Sequence, residues 1–404
     1  MTKLTQILRQ ESRNCSNFQD FQFDTASSWP KFHMISIETI LSALQYIVFV
    51  PLLILAVLYL YIGSVQKRNR PSSCSCHPDR LSNVNIVSKQ LRIGYSIYNT
   101  WLGRYIHNMN IIKATTERIQ HTQTEQHQCV KCTVLPVPYL EDNYAFLIVC
   151  HKTGHCAVVD PGDSTAIEVA LAKVQLPDSC PPVKLTTVLT THGHWDHDGG
   201  NADLVTDYPG LVVVGGKGDG VSCCNHTVTD NDRIQVGELT FIAVWTPCHT
   251  PFHMCYRYES PDKKTSLLFS GDTLFVGGVG RFWEGSSEDM LYSLNKLKAL
   301  PPQTLLFCGH EYAVANLTFN SFAEPNNEDI KKKLEESISK RENLKQVIPT
   351  LLSDEMKWNS FLRADQLVKL KVEPGTKSDN REANVLYTLR RAKDQDMGAE
   401  LRFN

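Results

Sequence analysis

The chain has little net charge and no concentration of charge of one sign. Its 404 residues contain 41 Lys and Arg against 43 Asp and Glu, which gives a formal net charge of −2. It has no basic tract and no nucleic-acid-binding motif, so a nucleic-acid partner is not expected. This charge balance does not point to any protein partner.

The cysteines do not form the paired motifs of a zinc-binding module. Cys129-Val130-Lys131-Cys132 is a CxxC without a second pair, so it is only a weak indication of zinc. Cys150 and Cys156 fall within strand-like apolar segments. Although the chain has thirteen cysteines, we therefore expect reduced thiols rather than a disulfide framework.

One long apolar run, Ile40–Ile62, contains no charged residue. At about 1.5 Å per residue, a helix of this length reaches roughly 35 Å, enough for a hydrocarbon core of about 30 Å. No small-residue cleavage site follows the run, which argues against a signal peptide. We expect a single transmembrane helix over 40–62, with a buried helix of a globular domain as the alternative.

The charges on either side of this run predict its orientation. Lys67, Arg68 and Arg70 follow it, whereas Glu38 lies immediately before it. By the positive-inside tendency, the catalytic part of the chain faces the cytosol and the tail of residues 1–39 lies outside.

Residues 63–131 are predicted to be a juxtamembrane segment and linker. Within them, Leu91–Ile112 mixes aromatic and aliphatic residues with arginines, which is typical of a helix lying on an anionic leaflet. Cys74 and Cys76 are candidates for palmitoylation. Membrane lipid is therefore an expected partner.

Three histidines and an aspartate are concentrated in Thr191–His197, directly after the apolar run Leu185–Thr190. A strand that ends in a tight loop can direct these side chains toward one point. Imidazole with carboxylate is the ligand set of zinc and iron sites that perform hydrolysis. The segment predicts a metal centre, and a solvated histidine-rich turn is the alternative.

Three further apolar runs each end in a Gly or Pro turn that carries a ligand-type residue. They are Leu239–Thr246 before His249, Ser266–Ser270 before Asp272, and Thr304–Cys308 before His310. Loops held by a rigid scaffold are where catalytic side chains are commonly found. Four such strand ends in one chain favour a catalytic site over four unrelated structural residues.

The motifs THGHWDH, TPCHT, SGDTLF and CGHEY, in this order, resemble the metallo-β-lactamase superfamily and, within it, the glyoxalase II (hydroxyacylglutathione hydrolase) family. The resemblance runs from about Val134 to the C-terminus. It implies an αββα sandwich in residues 132–315 and a C-terminal helical substrate-binding region in 316–404, preceded here by the transmembrane helix. The helical stretches Ser286–Leu300 and Asn326–Asn343, between strand signals, agree with this α/β fold.

The resemblance also implies two divalent transition metal ions, zinc first, with iron or manganese as alternatives. One ion would be held by His192, His194 and His249 and the second by Asp196, His197 and His310, with Asp272 bridging. It further implies that hydroxide held between the ions attacks a thioester carbonyl, with Asp196 and Asp272 as the catalytic carboxylates. Asp160 and His253 are candidates either for orienting the ligating imidazoles or for supporting structure.

A glutathione thioester, such as S-lactoylglutathione, is the substrate that the resemblance implies. The residues matching the family's substrate pocket are Arg281, Phe282, Trp283, Tyr312, Arg390 and Lys393. Cationic side chains suit the carboxylates of glutathione. Arg281 and Trp283 depart from the usual Lys and Tyr, which leaves the thiol carrier open. For Arg390 and Lys393, an exposed helix face is the alternative.

The segment LRIGYSIYNTWLGRYIHN also resembles the juxtamembrane part of membrane-anchored glyoxalase-II-like hydrolases. A membrane-anchored thioester hydrolase is therefore the expected function. The alternatives are a membrane-tethered scaffold that acts through a protein partner, and a mono-iron persulfide dioxygenase that would not need Asp196, His197 and His310 for metal binding. The complete ligand set favours an enzyme, and a count of two metal ions per chain against one separates the two enzymes.

Overall fold

The structure, a computed structural model, describes residues 122–367, 369–372 and 378–395. The transmembrane helix predicted at 40–62, the tail before it and most of the juxtamembrane segment lie outside these residues. Among the residues described, no helix combines the length and the apolar character needed to cross a bilayer. The predictions for the first part of the chain and the domain limits stay predictions.

The first of two large sheets has seven strands that follow one another in chain order. They are β1 (His127–Gln128), β2 (Cys132–Tyr139), β3 (Asn143–Cys150), β4 (His155–Val159), β5 (Lys184–Leu189), β6 (Val212–Gly216) and β7 (His226–Val228). Strands β1 to β4 pair antiparallel, and β4 to β7 pair parallel. All eight residues of β3 are buried, as expected for an apolar strand covered on both faces.

The second large sheet has the order β15-β14-β11-β10-β9-β8. Its strands are β8 (Arg233–Val236), β9 (Leu239–Trp245), β10 (Met254–Glu259), β11 (Ser266–Gly271), β14 (Leu305–Cys308) and β15 (Thr350–Leu351), and β12 (Leu274–Phe275) and β13 (Gly278–Val279) form a separate ribbon. Because β11 and β14 are parallel neighbours, the loops after them lie at the same edge of the sheet.

Eight helices are described. They are α1 (Ser164–Lys173), α2 (Trp195–Asp198), α3 (Asn201–Asp207), α4 (Ser287–Lys298), α5 (Ala313–Ala323), α6 (Glu328–Glu342), α7 (Leu352–Trp358) and α8 (Arg381–Asp394). Local sequence explains where the longer ones begin. Asp163 caps α1 by accepting from two backbone N–H groups, and Ser286 with Asp289 forms a capping box at α4.

The helices cover the outer faces of the two sheets, and an aromatic core fills the space between the sheets. In that core, the Phe269 ring lies 5.4 Å from Phe146 and 5.2 Å from Phe307. Ile167 of α1 packs on the first sheet, and Met290 of α4 belongs to the cluster on the second. The predicted αββα sandwich with a C-terminal helical region is therefore confirmed, and α4 and α6 lie within the predicted helical stretches.

Candidate metal centre and substrate pocket

The loops after four strands meet at one edge of the sandwich. β5 leads into the histidine-rich loop and α2, while β9, β11 and β14 lead to one further ligand-type residue each. Together these loops bring all seven predicted ligands close to one another: His192, His194, Asp196, His197, His249, Asp272 and His310.

His192, His194 and His249 form the first group of candidate ligands, and all three are buried. The rings of His192 and His194 lie 4.2 Å apart between centroids, and His249 Nε2 is 3.1 Å from His194 Nδ1. His192 Nε2 is buried and, among the described residues, has no hydrogen-bond partner. Because a buried polar atom normally has a partner, this nitrogen fits a metal ligand.

Asp196, His197 and His310 form the second group. His197 Nε2 lies 3.2 Å from His310 Nε2, and Asp196 Oδ2 lies 3.6 Å and 3.5 Å from these two nitrogens. Imidazole nitrogens and a carboxylate oxygen that face one small space are the donor set that zinc and iron prefer in proteins.

Asp272 lies between the two groups and presents one oxygen to each. Its Oδ1 is 3.3 Å from His197 Nε2 and 3.4 Å from His310 Nε2, whereas Oδ2 is 3.4 Å from His249 Nε2. The Asp272 side chain lies so close to the backbone at position 309 that it favours glycine there, since a Cβ on Gly309 would lie 2.8 Å from Asp272 Oδ1. The arrangement suits a carboxylate shared by two divalent cations.

Buried partners fix the orientation of the imidazoles. Asp160 accepts from the Thr191 N–H at 2.7 Å and lies 3.0 Å from His197 Nδ1. It does so from a left-handed backbone conformation with φ of 49°, a strain of the kind found at functional sites. His253 stacks on His192 and accepts from the Asp272 N–H at 3.2 Å. Asp160 thus orients an imidazole directly, while His253 supports the loops.

Three groups around the site were not found from the sequence. Asp142 Oδ1 lies 2.7 Å from His310 Nδ1, Asn143 donates to Asp196 Oδ2 at 3.1 Å, and Asp219 accepts from the Gly193 N–H at 2.8 Å. Asp142 lies in the turn after β2 and Asn143 is the first residue of β3, so both follow the end of an apolar strand, which is the signal that identified the candidate ligands. Asp219 likewise follows an apolar strand, β6, and a glycine-rich turn, so the same signal was present there.

Burial and charge give the two groups of ligands different protonation. Burial, together with neighbouring histidines, holds the pKa of His192 and His194 well below the usual range, so both imidazoles are neutral. Burial also acts to lower the pKa of His197, but Asp196, Asp272 and Asp160 outweigh it and raise that pKa to about 9. The pKa of His310 is likewise raised, against the effect of burial, chiefly by Asp272. The first group is ready to bind a cation, whereas the second must lose protons first.

A cavity of about 720 Å³ opens from the ligands and is lined by all five residues predicted to bind substrate. Four of them are Arg281, Trp283, Tyr312 and Lys393. The Arg281 guanidinium lies over the Trp283 ring at 5.3 Å, and the Tyr312 ring stacks on His310. The fifth, Arg390, is 6 % exposed, which excludes an exposed helix face at that position. The sixth family position, Phe282, packs against the helical cluster instead.

The cationic side chains that line this cavity form hydrogen bonds and ion pairs with other residues of the chain. Arg390 donates to the Val279 carbonyl oxygen at 3.1 Å and to Asp394 Oδ1 at 2.7 Å, and Arg281 Nε lies 3.4 Å from the same oxygen. Lys393 donates to Asn316 Oδ1, and burial lowers its pKa to about 7. A cationic pocket, partly neutralised by one aspartate, therefore adjoins the candidate metal centre.

Comparison with known proteins agrees with this geometry. The metallo-β-lactamase superfamily matches residues 139–310, and the C-terminal region of hydroxyacylglutathione hydrolases matches residues 311–396. A cytoplasmic hydroxyacylglutathione hydrolase of Arabidopsis thaliana is 39% identical over 267 residues, which are 66% of this chain and 99% of that relative.

The chain belongs to the hydroxyacylglutathione hydrolase family. The predicted resemblance to glyoxalase II is thereby confirmed, as is the prediction that the chain is an enzyme of the thioester hydrolase class. The family and the grouped His and Asp side chains together support divalent metal ions at the site.

Solved structures also resemble the chain. That of ETHE1 from Myxococcus xanthus is 22% identical, with a TM-score of 0.42, and covers 67% of this chain and 90% of its own. A metallo-β-lactamase of Staphylococcus aureus is 19% identical, with a TM-score of 0.43, and covers 67% and 71%. At this level of similarity, neither structure says anything about the activity of the chain.

Proposed function

We propose that the chain hydrolyses glutathione thioesters, with S-lactoylglutathione cleaved to lactate and glutathione, at a centre of two divalent metal ions. The position of Asp272 supports this most directly, because its two oxygens face two separate groups of ligands at 3.3–3.4 Å. Zinc is the first candidate, with iron or manganese as alternatives, since each binds imidazole and carboxylate.

His192, His194 and His249 would hold one ion, and Asp196, His197 and His310 the other, with Asp272 contributing to both. When bound, two such ions lower the pKa of water and polarise a carbonyl oxygen. The chain supplies fixed positions for these ligands. Asp160, Asp142 and the carbonyl oxygen of Arg281 each lie against the Nδ1 of one ligand histidine at 2.7–3.0 Å, which leaves the Nε2 atoms directed into the site.

The cationic part of the cavity is proposed to bind the two carboxylates of glutathione. Arg281, Arg390 and Lys393 line it, and charge-assisted pairs with carboxylates are among the strong hydrogen bonds. Tyr312, whose ring stacks on His310, and Trp283, whose ring lies under the Arg281 guanidinium, offer flat surfaces in the same cavity. The leaving group is a thiolate, which is already a stable anion, so the reaction does not require a strong general acid.

Hydrolysis of S-lactoylglutathione by the full-length chain, together with its metal content, tests this proposal. Asp272→Ala and His194→Ala are expected to abolish turnover while leaving the circular dichroism spectrum unchanged. His226→Ala is the matched control, since this histidine is exposed on β7, and it should retain turnover. Wild-type turnover in either site variant, with unchanged metal content, would refute the proposal. One ion per chain would favour the persulfide dioxygenase instead.

We further propose that residues 40–62 anchor the enzyme in a membrane, with the catalytic part facing the cytosol. The uncharged run and the basic residues after it support this arrangement. Asn14 and Asn225 each begin a glycosylation sequon, and Asn225 is exposed. Sugar attached to Asn14 and absent from Asn225 is the expected result in cells that glycosylate secreted proteins, and sugar on Asn225 would reverse the orientation.

A further inference from the structure

We propose that Cys129 and Cys132 form a thiol–disulfide site that exchanges with low-molecular-weight disulfides such as glutathione disulfide. The site lies in the turn between β1 and β2 and is separate from the metal centre and from the proposed hydrolysis. Its basis is the position of these two cysteines in a hairpin, the contacts around them and their unequal exposure.

The hairpin places the two cysteines directly opposite each other. Its register pairs His127 with Val134 and Gln128 with Thr133, so the next pair toward the turn is Cys129 with Cys132. The Cys129 N–H donates to the Cys132 carbonyl oxygen at 2.9 Å, which joins the two residues across the hairpin. Hydrogen-bonded partners in antiparallel strands have Cα atoms about 5.5 Å apart, which is within the range that disulfides span.

A third cysteine, Cys150, lies beside Cys132 on the neighbouring strand β3. It pairs with Cys132 in the register of β2 and β3, and the two belong to the same core cluster, against which Cys129 packs. Tyr258 reaches the same cluster from the opposite sheet, and its hydroxyl group is buried without a hydrogen-bond partner among the described residues. Apolar side chains otherwise surround Cys132, which is fully buried, so Cys129 is the sulfur that a small solute can reach.

The surroundings of Cys129 favour its thiolate. The hydrogen bond from Cys132, together with His127 and His151, outweighs partial burial and lowers the pKa of Cys129 to about 5. The same contact and burial raise the pKa of Cys132. A nucleophilic thiolate beside a protonated resolving thiol is the arrangement that thiol–disulfide exchange requires.

The reaction balances without any further reagent. The Cys129 thiolate attacks one sulfur of glutathione disulfide, whose S–S bond breaks and releases one glutathione thiolate. The Cys132 thiol then transfers its proton to a released thiolate and attacks the Cys129 sulfur, which displaces the second glutathione. Two cysteines lose two electrons, and one glutathione disulfide becomes two glutathione molecules.

The structure supports metal binding by Cys129 and Cys132 less well than disulfide exchange. Among the residues that the structure describes, the groups of His, Cys, Asp and Glu compact enough to hold an ion lie at the active edge and do not include Cys129 or Cys132. The hairpin therefore favours exchange of disulfides over coordination.

Peptide mapping of the full-length protein tests the proposal. Reduced protein is incubated with glutathione disulfide, quenched with acid and alkylated. Trypsin cleaves after Lys131, between the two cysteines, so a disulfide would keep the two peptides linked. We expect most chains to carry this link, and we expect Cys132→Ser to carry one glutathione on Cys129, because the resolving thiol is gone.

Cys223→Ser is the matched control, since Cys223 is an exposed cysteine elsewhere, and it should give the wild-type pattern. Near-UV circular dichroism verifies that each variant is folded. Unlinked peptides in the wild-type protein, a link from Cys132 to Cys150 in place of Cys129, or an adduct that forms on Cys223 but not on Cys129 would each overturn the proposal.

Discussion

Asp394 Oδ1 accepts a hydrogen bond of 2.7 Å from Arg390 Nη2. The guanidinium that is proposed to bind substrate is therefore already paired with a carboxylate of the chain. Asp394→Asn should therefore lower KM for S-lactoylglutathione about three- to tenfold, because a like charge is removed from the site of the glutathione carboxylates. kcat should change little. Steady-state kinetics measure both constants.

Asp365→Asn is the control for this prediction, since Asp365 pairs with Lys298 at 3.9 Å on the surface. A higher KM in Asp394→Asn would show that the carboxylate is needed to orient Arg390, and would contradict the expectation of electrostatic relief.

Asp142→Asn should weaken metal binding roughly 10- to 100-fold, because His310 loses the carboxylate that orients its ring. Competition with a chelator measures this affinity. Glu141→Gln changes the neighbouring exposed carboxylate and should have no effect. Equal affinities of wild type and Asp142→Asn would exclude an orienting role.

Binding of the second ion should release protons. The carboxylates around His197 raise its pKa to about 9, so below that pH the metal-free site holds a proton that an ion must displace. Affinity should therefore rise with pH from 7 to about 9. Calorimetry in buffers of different ionisation enthalpy counts the protons, and binding without release at pH 7 would contradict this reasoning.

The affinity of the metal-saturated enzyme for substrate should fall as pH rises through about 7. Burial lowers the pKa of Lys393 to that value, so the ammonium group present below it is lost above it. We expect KM to increase between pH 6 and 8. Lys393→Arg should remove this increase, because guanidinium stays charged. A KM of the wild type that is constant over this range would be contrary to the prediction.

The grouping of the candidate ligands could be predicted because each belongs to a short motif at the end of an apolar strand. β5, β9, β11 and β14 all lie within two residues of the predicted runs. The period and flanking residues of α4 and α6 also carry enough information to predict helices. These features depend on local sequence, in which a strand, a Gly or Pro turn and a ligand follow one another.

The supporting contacts could not be predicted in the same way. Asp142 and His310 are 168 positions apart in the sequence, and Asp394 comes close to Arg281 only when α8 packs against α4. Such pairs depend on how distant elements dock, which one sequence does not reveal. The opposition of Cys129 and Cys132 likewise follows from the hairpin register and not from the CxxC spacing.

The number of metal ions bound by the full-length chain tests the central claim most directly. Elemental analysis of purified protein should find two divalent ions per wild-type chain, and one each in His194→Ala and His310→Ala, which lie in different groups. A wild-type chain that binds one ion, or a His310→Ala variant that retains two, would contradict a shared two-metal centre.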